Sequence, residues 1–146
     1  MTRKKYWILG ATAAIVAVSS GAYVAMAGSS INAPPAYIVT MAEQQAKENG
    51  DPTPTGAIAV STTRGAAMHA AAVGVVNGPT IPVWLVVLHG HFKDRHASVP
   101  AGQPLPAGHV ILFTVNKRTH QIMDFGIGNR SPKLSSLGPI ENFSMP

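Results

Sequence analysis

Apolar and polar positions alternate in different rhythms along the chain, and each rhythm predicts an element. Over Ala36–Asn49, Ile38, Met41, Ala42 and Ala46 recur at helical spacing. Pro35 suits a first helical position, whose N–H needs no partner, and Asn49-Gly50 followed by Pro52 is a stop signal. Over Ala57–Thr63, Ile58 and Val60 share one face of a predicted strand. Gly65–Val73 is alanine-rich and reads as a short helix, with Thr63 as its cap and Asn77-Gly78-Pro79 as its end. Val83–Phe92 (VWLVVLHGHF) carries the strongest strand pattern, since its residues are β-branched, aromatic or leucine. Lys93–Gly108 holds Pro100, Pro104 and Pro106 and reads as a long, stiffened loop. His109–Asn116 and Gln121–Ile127 flank the polar turn Asn116–His120 and predict an antiparallel hairpin. Helices followed by a run of strands imply an α+β fold, with a helix packed on an antiparallel sheet of three to four strands. The tail 129–146, with Pro132, Pro139 and Pro146, reads as extended, either lying on the domain or disordered.

Side chains alternate along a strand, so Val83–Phe92 has two distinct faces. Trp84, Val86, Leu88, Gly90 and Phe92 form an apolar face, assigned to the helix-packed core. Val83, Leu85 and Val87 form the other, which continues into His89 and His91. In a small sheet with one helix that second face normally meets water and turns polar. Three apolar residues there need a cover: the tail, the 57–76 segment, or a partner. An exposed apolar patch marks an interaction site. Val83, Leu85 and Val87 are therefore the candidate interaction face, for a protein or peptide partner. On this reading Leu85→Asp abolishes association and leaves a soluble fold.

The N-terminus changes the meaning of the charge. Arg3, Lys4 and Lys5 precede an uncharged run from Trp7 to Ala27, and Ala25-Met26-Ala27 has the small-x-small pattern of a cleavage site. Residues 1–27 thus read as a signal peptide cut after Ala27. The rival is an uncleaved signal anchor, because the run is about the roughly 20 residues a bilayer requires. Both readings export the remainder, so the domain lies outside the cytoplasm or is anchored to its membrane. Residues 28–35 form a linker, and 36–128 the domain. The formal charge is +5, and three of the basic residues sit in the targeting segment. What remains has no clustered basic face, which excludes nucleic acid as a partner. The chain has no cysteine, so disulfides, thiol catalysis and zinc–thiolate sites are excluded.

Candidate chemistry is sparse. His89 and His91, roughly 7 Å apart on one strand face, are candidate ligands for zinc or copper, with His96, His109 or His120 as a third. Asp124-Phe125-Gly126 matches a kinase motif only by chance, because no phosphate loop or catalytic loop accompanies it. Gly126-Ile127-Gly128 lacks the rest of a dinucleotide fingerprint, and its glycines read as the end of a strand. No G-x-S-x-G elbow exposes a serine. The acids are few, and Asp124 reads as a strand residue that bonds locally or faces solvent. No catalytic residue or resident cofactor is assigned.

The hairpin Phe113-Thr114-Val115-Asn116-Lys117-Arg118-Thr119-His120-Gln121-Ile122-Met123 resembles the PepSY module, together with the preceding VWLVVLHGHF strand. Asn116 stands where that family often has Asp, and His120 where it often has Gly. The resemblance extends over roughly 36–128 and rests on 83–127. It implies a non-catalytic extracytoplasmic module that binds or restrains peptidases or senses the cell envelope. The alternative expectation is a histidine-based metal-binding protein or small metallohydrolase.

Overall fold

The computed structural model describes residues 33–146. The expected signal or anchor, its cleavage residues Ala25 and Ala27, and most of the linker lie outside the described residues. Pro34–Pro146 forms one compact unit. Its elements run α1 (Ala36–Glu48), β1 (Gly56–Thr63), α2 (Arg64–Ala70), β2 (Pro82–Lys93), β3 (Ala107–Asn116), β4 (Ile122–Gly128) and β5 (Ile140–Phe143). The fold is α+β. The sheet holds five strands in the order β4-β3-β2-β1-β5, every neighbouring pair antiparallel. Three to four strands were expected. The additional one, β5, comes from the tail, whose Ile140–Phe143 closes the free edge of β1.

Helix α1 starts after Pro35, whose carbonyl accepts from Ile38 and Val39 N–H. It ends in a Schellman turn. Gly50 takes the left-handed conformation at φ +93, its N–H donates to Lys47 O, and Asp51 N–H donates to Ala46 O. That pairing satisfies carbonyls the helix leaves open. Ile38, Ala42 and Ala46 are fully buried at a spacing of four. They lie on a layer built from Ala57, Ala59, Val86, Leu88, Phe92, Ile111, Phe113 and Val115. The helix approaches the sheet over β2, with the small side chains Ala42, Ala46, Ala57 and Ala59 in the same layer.

The second face of the sheet is closed as well. Val83, Leu85 and Val87 are 0% exposed. They pack with Ala67 and Met68 of α2, with Val76 and Ile81 of the following loop, and with Leu134 and Leu137 of the tail. β2 is the middle strand of five, and a strand covered on both faces reads as a continuous apolar run. These three residues are therefore core, and the expected interaction face at Val83, Leu85 and Val87 is corrected. The one-covered-face rule misled because α2 and the tail supply a second cover.

Candidate functional site

The His-Gly-His end of β2 is a β-bulge. His89 pairs with Val110 and Phe92 with Gly108, so Gly90 and His91 together oppose His109 alone. Asp51, just beyond α1, clasps the bulge: its Oδ2 accepts His91 N–H at 2.8 Å. The carboxylate occupies the space a Cβ on Gly90 would need, which is why glycine stands there. Thr55 ties down the neighbouring residue, donating to His89 O from its N–H at 2.7 Å and from its hydroxyl at 3.0 Å.

The bulge separates the two expected metal ligands. His89 lies beside Gly56 of β1, whereas His91 meets His109 edge to face with ring centroids 4.9 Å apart. His109 Nδ1 lies 3.2 Å from Gly90 O, and donation there leaves its Nε2 lone pair free. His120 is at the other end of the sheet, stacked on Tyr37 at 4.0 Å, and His96 sits in the loop after β2. Among the described residues no three of His, Asp and Glu converge where they could hold a metal ion. The His91–His109 pair borders a hollow of about 380 Å³ that Lys93 and Arg95 also line. Those two cations oppose a bound metal cation.

A charged clamp crosses the second face. Arg64, at the start of α2, donates through Nε and Nη2 to both carboxylate oxygens of Asp124 on β4, at 2.9 and 2.6 Å. Its Nη1 donates to Asn77 O at 2.5 Å. Thr114, fully buried on β3, donates to Asp124 Oδ2 at 2.5 Å. The guanidinium holds the Asp124 carboxyl below the usual carboxylate range, against the opposing effect of burial, and the Thr114 hydroxyl assists. Asp124 in turn raises Arg64. A carboxylate so matched is not poised to move protons. It fixes α2 and its following loop to the sheet. The expectation that Asp124 bonds locally or faces solvent is corrected by a partner 60 residues away in the sequence.

A hollow of about 530 Å³ lies on this same face. Its floor is two cross-strand pairs, Val110 with Gly128 and Leu112 with Gly126. The end of α2 and the turn through Val73 form one wall, and the tail from Arg130 to Ser136 the other. Lys133 N–H donates to Ala70 O at 3.1 Å, joining the walls. A Cβ on Gly126 or Gly128 would meet nothing within 4 Å. The two glycines, expected only to end a strand, therefore leave room above Val110 and Leu112. Arg130, Lys133 and His69 line the hollow, and none of its described lining residues is acidic. Glycine at i and i+2 on one face of a strand is the sequence signal for such a vacancy, although Gly126 and Gly128 alone read as a strand end.

Compared with protein-family models, curated proteins and solved structures, the chain has no match. The assignment of a function therefore rests on the residues and their geometry. Among the described residues, no helix is long and apolar enough to cross a membrane.

Proposed function

We propose that the chain is an exported, non-catalytic binding or modulatory module of the cell envelope whose ligand seat is the hollow beside β4. The observation that carries this is the pair Gly126 and Gly128. Glycine weakens a strand and is kept where something approaches closely, yet among the described residues no atom fills the space above Gly126, inside β4, or Gly128, its last residue. A concave, mainly apolar hollow with a few polar groups at its rim is the usual form of a binding site. The mutual neutralisation of Arg64 and Asp124 favours binding over acid–base chemistry. Export is supported by the basic Arg3–Lys5 end, the uncharged Trp7–Ala27 run and the small residues Ala25 and Ala27. The PepSY-like hairpin supports the same kind of role. Its Asn116 Oδ1 accepts from Arg118 and Thr119 N–H, and His120 takes the positive φ of +57 at the position where that family often has Gly.

The test is photo-crosslinking in the producing cell. A photoreactive residue in place of Ser136, at the rim, is expected to give a discrete adduct in the envelope fraction. The adduct should vanish when Gly126→Leu fills the hollow, and it should not form from Thr55. Equal labelling from both positions, or a cytoplasmic product, overturns the reading. A second reading, a histidine-based metal-binding protein or small metallohydrolase, draws on one observation, the contact between His91 and His109.

A further inference from the structure

We infer that the occupant of this seat is an extended acidic peptide segment, which adds a strand to the free edge of β4 and lays a large apolar side chain over Gly126 and Gly128. This rests on the reading of the hollow as a ligand seat and names what fills it. The sheet ends in two terminal strands, β5 beyond β1 and β4 beyond β3, and β4 is the one whose Gly126 and Gly128 line the hollow. A terminal strand presents unpaired N–H and C=O groups, and strand addition is a recurring mode of peptide recognition. On the face of β4 away from the hollow, where Ile122 and Phe125 pair with Val115 and Phe113, those two side chains are 37% and 41% exposed.

The glycines give strand addition its specificity. Residues directly opposite on antiparallel strands have Cβ atoms about 5 Å apart. A peptide residue opposite Gly126 on the hollow's face would lean over the vacant position and reach Leu112 and Val110 beneath. A large apolar or aromatic side chain covers a strand glycine well. A fatty acid would also fill the floor, but it would leave the strand edge unpaired.

Charge selects among peptides. Arg130 and Lys133 line the hollow, and the ion pair found among the described residues joins Arg64 to Asp124 instead. Asp124, the acid on β4, is thus already neutralised, so the surroundings of the seat are positive. An acidic segment is attracted, a basic one is repelled, and a second copy of this chain would bring its own Arg130 and Lys133 against the first.

The experiment is selection of linear displayed peptides on the immobilised full chain, followed by titration of the synthesised winners. The expected winners combine a large apolar residue with flanking Glu or Asp and perturb the backbone amides of residues 122–128. Their affinity should fall roughly tenfold with Gly126→Leu and about fivefold with the surface variant Lys133→Glu, magnitudes ordinary for a filled pocket and a lost charge contact. Thermal melts of both variants separate lost binding from lost folding, and Lys133→Glu touches no core residue. Winners that ignore both variants overturn the inference, as do winners rich in Lys. If no peptide is enriched but decanoate binds and Gly126→Leu abolishes it, the peptide inference fails while the hollow stands as a seat. If neither probe binds, both fail. Concentration-dependent loss of the β4 amide signals without peptide assigns the edge to a second copy and also overturns the inference.

Discussion

At residue scale, the contacts that set this structure join positions far apart in sequence. Gly90 accommodates the Asp51 carboxylate, so Gly90→Ala forces the bulge open and strips His91 N–H of its acceptor. The expected loss is about 2 kcal/mol, read from the denaturant midpoint. Asp124→Asn removes the charge that Arg64 holds in two hydrogen bonds, with the side chains 17% and 18% exposed. Its expected cost is about 2 kcal/mol. The sign with pH follows from the lowered Asp124 pKa. The contribution is fully present above the ordinary carboxylate pKa of about 4 and disappears as pH falls through the lower folded value. The difference between wild type and Asp124→Asn should therefore shrink on acidification, and a constant difference would show that charge is not the cause. A zinc titration followed through the imidazole signals should move His91 and His109 together and leave His89 in place. Joint movement of His89 and His91 would restore the i, i+2 pair expected from an unbroken strand. Two things hide these contacts in the sequence: alternation carried through Gly90 assumes a regular strand, which the bulge breaks, and Arg64 and Asp124 lie 60 residues apart.

At the scale of elements, much was legible because it is local. α1, β1, the cap at Thr63 (which accepts Ala66 N–H at 3.4 Å) and the β3–β4 hairpin follow from spacing and turn residues within each segment. β5 was not legible. Ile140–Phe143 is four residues long, lies after Pro139 and has no strong pattern of its own; it is a strand because β1 offers an edge. β4 raises the opposite question, since Gly126 within it and Gly128 at its end disfavour a strand. Gly126→Val should raise stability by about 0.5–1 kcal/mol, because the added side chain meets open space and lies on apolar Leu112. A thermal melt checks this. A fall in stability would mean that the glycine serves the backbone, and the case for a vacated seat would weaken. A rise in stability accompanied by lost ligand binding is the trade expected where function holds a strand below its optimum.

At the scale of the whole molecule, the sequence indicated that Val83, Leu85 and Val87 needed cover, and the chain itself supplies it. Composition and spacing within 83–92 carry no information on where α2 or Leu134 and Leu137 will lie, so the pattern alone does not say what covers this face. The consequence reverses the expected result for Leu85→Asp. A charge at a 0% exposed position has no water and no partner. The variant should lose several kcal/mol of stability and unfold rather than remain soluble and unassociated; circular dichroism decides between these outcomes. The tail matters for timing as well as for cover. β1 is among the first strands synthesised, and the strand that closes its outer edge comes after every other strand. Until that segment emerges, β1 has an open edge and the second face lacks Leu134 and Leu137. Folding as one unit therefore waits on a segment made after the surfaces it closes, so the order of synthesis, and not hydrophobicity, sets when this sheet is finished.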